Sequence, residues 1–186
     1  LYNTKWYFSN LKRFQPVLKT WRSFDYHYQI DLFKFGLQQL AKAMDYYGGE
    51  VEETRKLRIA AIDRLIAEID RDYEEDVRQH LNYSYRSGGR VTEHADGSVC
   101  FHGTDDEARK AETKRYYEEV EKERKLHYQT IFDLLIGQDN KAIYDEVKRR
   151  IDAMSEEEKN SMNEHELNNK VYLEVFDGSG IEGWWD

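Results

Sequence analysis

Between Trp21 and Tyr47 the chain reads WRSFDYHYQIDLFKFGLQQLAKAMDYY, and its apolar residues Tyr26, Ile30, Phe33, Leu37, Leu40, Met44 and Tyr47 alternate four and three apart. That spacing lines one face of an α-helix. A second row, Phe24, Tyr28, Leu32 and Phe35, widens the stripe beyond a coiled-coil seam. The pattern predicts a central helix buried on more than one side.

The flanking segments are read against that helix. Tyr2 to Thr20 sets Trp6, Tyr7, Phe8, Leu11, Phe14, Val17 and Leu18 among lysines and arginines. Pro16 disfavours a helical Gln15 and removes a backbone donor, which predicts a short helix ending at Phe14, its aromatics docked on the central helix. Gly48 and Gly49 predict the end of the central helix. Ile59, Ile62, Ile66, Ile69, Tyr73, Val77 and Leu81 then predict one long antiparallel helix from Glu52 to about Tyr83.

Beyond Tyr85 the chain turns small, polar and β-branched. Val91, Thr92 and Val99 to Phe101 flank Asp96-Gly97, which predicts a small β-hairpin, with a disordered loop as the alternative. Thr104 is a fair N-cap for a third long helix, with Asp105, Asp106 and Glu107 in its first turn. Gly137 to Asn140 break or bend it, and Ile143, Val147, Ile151 and Met154 carry a fourth helix. Ser155 with Glu158 reads as a capping box opening a further short helix.

Charged residues make up 35% and hydrophobic residues 39%, with one proline, a mixture that favours long solvated helices over a sheet protein. The expected fold class is all-α: an antiparallel long-helix bundle with a small β-hairpin insertion. One helical domain spans 1–186, with the insertion at about 86–104 and a tail at about 171–186. The net charge of −9 is interspersed along the chain and argues against binding to duplex nucleic acid. Cys100 is the only cysteine, which excludes an intramolecular disulfide and suits a reducing compartment. The apolar cluster from Ile131 to Ile136 is broken by Asp133 and too short to span a bilayer, so no membrane partner is expected.

Motifs for chemistry are sparse. No Glu-x-x-His is present for a di-metal bundle site. His94, Cys100 and His102 fall one ligand short of a zinc set and read as an ordinary polar hairpin. There is no Walker loop, dinucleotide fingerprint or serine elbow, so neither a catalytic residue nor a cofactor is expected.

What remains is a set suited to planar or anionic groups: Trp21, Arg22, Tyr26, His27 and Tyr28, with Arg124 and His127 from a neighbouring helix face. Aromatic rings stack on bases and Arg pairs with phosphate, which predicts a small nucleotide-like ligand. The other reading makes these aromatics core, with Arg and His satisfying carboxylates such as Asp25 or Asp31. Phe176, Trp184 and Trp185 form an apolar tail, expected to fold into a groove or to contact a second copy in a homodimer.

The stretch WRSFDYHYQIDLF and the ending GIEGWWD resemble small helical proteins encoded by tailed bacteriophages, which share a Trp-x-x-Phe-Asp-Tyr start and a Trp-Trp-Asp end. The likeness covers mainly these two ends and transfers no catalytic residue. It implies expression in a host cytoplasm. The function expected on these grounds is non-catalytic capture of a small nucleotide-like ligand such as a host defence signal; the alternative is binding to a host or phage polypeptide through the aromatic ends.

Overall fold

A computed structural model of the chain describes residues 2–22, 25–47, 51–83, 90–102 and 107–184. The class is all-α, with eight α-helices among the described residues. In chain order they are α1 Tyr2–Leu18, α2 Tyr26–Tyr47, α3 Glu52–Asp70, α4 Tyr73–His80, α5 Glu107–Ile136, α6 Asn140–Ala153, α7 Glu156–Lys159 and α8 Glu164–Val175. A 3-10 turn, Ile181–Trp184, follows α8. Strands β1 Arg90–Glu93 and β2 Val99–His102 pair antiparallel, with Val91 opposite Phe101 and Thr92 opposite Cys100. Gly48, Gly49 and Thr104, expected as helix-end residues, lie outside the described residues.

The chain divides into two units, Leu1–Ala67 with Asp133–Asp186, and Glu68–Phe132. In the first, α6 and α8 pack together around Ile143, Val147, Leu167, Val171 and Phe176. Local chemistry sets the ends of these helices. Asp139 accepts a hydrogen bond from the Ala142 amide at 2.8 Å to cap α6, and Asn163 with Glu166 forms a capping box on α8. The expected capping box of Ser155 and Glu158 opens α7.

After α8 the chain turns back into its own unit. The Asp177 amide donates to the Gln138 side chain at 2.9 Å, while Gln138 donates to the Val175 carbonyl and Arg64 to the Asp177 carbonyl. Two glycines allow this approach. Gly178 has φ +81°, and a Cβ there would stand 2.1 Å from the Leu57 carbonyl oxygen; a Cβ on Gly137, at φ +77°, would stand 2.5 Å from the Gly180 Cα. Trp184 closes the hook, its indole N–H donating to the Gly178 carbonyl at 2.8 Å.

The second unit has a smaller core of Val77, Tyr83 and Tyr116, with Leu81 and Val120 against it. The Tyr83 and Tyr116 rings stack at 4.2 Å, and the Arg109 guanidinium lies over Tyr83 at 5.0 Å.

Three sequence expectations are corrected. α1 runs through Pro16 to Leu18, and Lys19 N–H to the Gln15 carbonyl at 3.0 Å keeps its end closed. Pro16 is exposed and within three residues of that end, so the missing donor costs only a local bond. The single helix expected from Glu52 to Tyr83 is two. Asp72 accepts from the Glu75 amide at 3.0 Å and starts α4, while Arg71 turns its guanidinium onto Asp76, Glu123 and Glu68. The apolar spacing hid this break because Ile69 and Tyr73 remain four apart.

The third correction concerns the central helix. Leu37 is the only buried side chain described on α2, whereas Tyr26 is 66% exposed and Phe33 39%. Along the most regular apolar stripe in the sequence, Tyr26, Ile30 and Phe33 are exposed, Leu40 and Met44 half-buried and Leu37 alone buried among the described residues.

Candidate interaction surface

The α1–α2 pair builds the surface. Tyr7, Leu11, Phe14 and Leu18 are spaced four, three and four apart, so they share one face of α1. Phe14 meets Phe35 of α2 edge-on at 5.2 Å. Along α1 only Phe14 and Val17 are half-buried; every other described side chain is exposed. Tyr7, Phe8, Leu11 and Leu18 thus keep much of their apolar surface in water, as do Tyr26, Ile30 and Phe33 on α2. Where such side chains adjoin, they mark a candidate contact surface.

Between the two helices runs a groove of about 560 Å³ with Phe14, Leu32, Phe33, Leu37 and Leu40 among its walls. Among the described residues Arg13 is the only charged one that lines it, Gln29 and Gln39 are its other polar groups, and Ile181 of the 3-10 turn also reaches it. Gly36 sits in the wall, and among the described residues no atom outside its own stretch of helix lies within 4 Å of the position its Cβ would take. A second groove, of about 680 Å³, follows α6 and α8. Its floor is the packed core, Ile143, Val147 and Leu167, and among its aromatic walls Tyr144 stands well out into water.

The seven residues expected to hold a nucleotide-like ligand divide between the two units. Trp21, Arg22, Tyr26, His27 and Tyr28 cluster at the α1–α2 connection; Arg124 and His127 are on α5 in the other unit. The Trp21 indole nitrogen is buried and has no hydrogen-bond partner among the described residues. Arg22 is exposed and donates to the Trp21 carbonyl at 3.2 Å. The Tyr26 and His27 rings lie 4.0 Å apart, and Tyr28 is half-buried.

Asp25 gathers this turn. Its carboxylate accepts the His27 amide at 3.0 Å and faces the His27 Nδ1 at 3.0 Å. These bonds, the backbone one foremost, hold its carboxyl below the ordinary range. On α5, Arg124 pairs with Glu121 at 2.7 Å at the surface. His127 is buried, with Nδ1 2.9 Å from Glu68 and its ring 5.0 Å from that of Tyr73. His127 therefore meets a carboxylate, as one of the two sequence readings has it, and the carboxylate is Glu68.

The expected contact residues at the other end are placed differently. Phe176 and Trp184 are buried in their own unit, Trp184 at 3% exposure, and present no face to another chain. The physical reason is the glycine hook, which draws the 3-10 turn inward. Trp185 lies outside the described residues.

Sequence reasoning missed the groove because it assigned the α2 stripe to the interior. One signal was in view: Gly36 interrupts an otherwise well-formed helix. Among the described residues no three His, Cys, Asp or Glu side chains gather as a metal-binding group. Among them, too, no helix is long and apolar enough to cross a membrane. No family model matches the chain, and comparison with curated proteins and with solved structures finds no match.

Proposed function

We propose that this chain is a non-catalytic interaction protein that binds another polypeptide through α1 and α2. The observation that carries the reading is the uncovered apolar face formed by Tyr7, Leu11 and Leu18 of α1 with Tyr26, Ile30 and Phe33 of α2. Burying such side chains gives about 25 cal/mol per Å² of apolar area, and the α1–α2 pair leaves that gain to a partner. Binding through both aromatic ends narrows to the N-terminal end, since Trp184 is buried. The partner is a host or phage polypeptide in an infected bacterium, the setting that the resemblance of the two ends implies. The arrangement proposed for the whole chain is an antiparallel bundle of long helices carrying the β1–β2 hairpin.

A photo-reactive phenylalanine tests this reading when placed at Phe33, with the more exposed Tyr144 on α6 as the control. Adducts to a polypeptide, whether another copy or a different chain, are expected at position 33 and not at 144. Equal yields at the two positions would remove the reading.

A second reading keeps the nucleotide-like ligand, with the chain sequestering a host defence signal. Its support is the buried Trp21 indole N–H without an acceptor among the described residues, beside the exposed Arg22. Calorimetry against cyclic and linear nucleotides decides it: heat that Arg22→Ala abolishes supports the site, and no heat with any member eliminates it.

A further inference from the structure

We propose that the polypeptide seated on α1 and α2 is a second copy of this chain, with the two α2 helices crossing antiparallel at Gly36. This rests on the docking reading above and names its occupant.

The groove positions on α2 are Gln29, Leu32, Phe33, Gly36, Gln39, Leu40 and Ala43, together with Leu37. Gln29, Gly36 and Ala43 are seven apart, and Leu32–Gln39 and Phe33–Leu40 repeat the same interval, the spacing of a seam that receives another helix. The seven seam positions are also symmetric about Gly36. An antiparallel copy with its two-fold axis there sets Gln29 opposite Ala43, Leu32 opposite Leu40, Phe33 opposite Gln39 and Gly36 opposite itself. Polar Gln29 thus meets small Ala43, Leu32 meets Leu40 and Phe33 packs on the stem of Gln39, while at the centre two glycines let the backbones approach. Two-fold self-pairing demands this kind of self-complementary patch.

Gly36 strengthens the argument. Glycine inside a helix costs roughly 0.5–1 kcal/mol relative to alanine. Among the described residues nothing beyond its own helix backbone comes within 4 Å of the missing Cβ, so no contact described for the chain explains that cost. A helix backbone crossing closely at this point does.

Charge and area agree. α2 carries Asp31, Lys34, Lys42 and Asp45, which balance, so two copies do not repel along it. An acidic or basic foreign helix would meet little in the groove beyond Arg13. The exposed parts of Tyr7, Leu11, Leu18, Tyr26, Ile30 and Phe33 offer roughly 600 Å² per copy, taking large side chains at ~150–250 Å² each. A standard interface takes about 800 Å² per partner, and the groove walls supply more.

The test uses the full chain in sedimentation equilibrium, with a Gly36→Cys variant on a Cys100→Ser background for geometry. Wild type is expected at twice 22.3 kDa. Gly36→Leu should weaken dimerisation by about tenfold or more, while Gly36→Ala should raise the stability of the monomer and weaken the dimer, opposite signs that a folding defect cannot produce. Under mild oxidation Gly36→Cys should link to itself, and Tyr144→Cys on the same background should not. A monomer at high concentration, or a dimer indifferent to Gly36→Leu, overturns the self-pairing. If that monomer still forms adducts from position 33 to a different chain, the docking reading stands; without them both fall.

Discussion

α2 and α8 lie in the same unit and differ in how far their own unit covers them. α2 has the longer and more regular apolar stripe, yet buries Leu37 alone among its described side chains; α8 buries Leu167 and Val171. The difference is in what comes back over each helix. α6 lies along α8, and the segment after Val175 hooks in, with Gly178 held against Leu57 and Trp184 hydrogen-bonded to Gly178. α2 has α1, which meets it through Phe14 and turns most of its own side chains to water. A periodic stripe says that a helix has an apolar face; whether that face is covered by its own chain depends on residues far away in sequence.

The largest expected effect breaks the covered side of the comparison. Trp184→Ala removes a buried indole and its hydrogen bond and should destabilise the unit by ~3–5 kcal/mol in denaturant unfolding. Phe33→Ala on the open side should change monomer stability by far less. If the two changes cost the same, the contrast between α2 and the hook is wrong.

Gly178→Ala is the next in size. The new Cβ would meet the Leu57 carbonyl, and φ is positive, so a loss of roughly 2–4 kcal/mol is expected from strain and overpacking. Thermal melting of this variant beside Gly36→Ala sharpens the comparison. The first should melt lower than wild type; the second, measured as monomer, should melt higher.

A smaller effect is set by pH. Glu146 on α6 accepts hydrogen bonds from Arg149 and then Arg150, which hold its carboxyl down to about 2 from an ordinary 4.5. Its contribution is therefore fully present above about 4.5 and is lost as pH falls toward 2. An acid titration of stability should show a shallower decline for Glu146→Gln over that window than for wild type. Identical acid limbs would mean that these surface bonds contribute nothing measurable.

The parts legible in the sequence were those decided locally. Ser155 and Glu158 state their capping box within four residues, and Gly137 marks the end of α5. The break at Arg71 was hidden because the apolar spacing runs on across the gap and masks a local cap, Asp72 on the Glu75 amide; only the Arg71–Glu123 bond lies far along the chain. Pro16 misled in the other direction, since a helix that is nearly finished tolerates a proline that would stop a longer one. At the candidate surface the residues were in view and their surroundings were not. Tyr26 and Phe33 have the spacing of core residues, and only the placement of α1 leaves them open. Trp184 was expected in a groove or at an interface between copies, and the glycine hook keeps it inside its own unit.

Amide hydrogen exchange measured across a range of protein concentrations tests the central claim most directly. If a partner copy holds the α1–α2 face, as proposed, protection along α2 should rise with concentration while that of α6 and α8 stays constant. Protection of α2 that equals that of α8 and does not change with concentration would contradict the account, because the chain itself would then be supplying the cover.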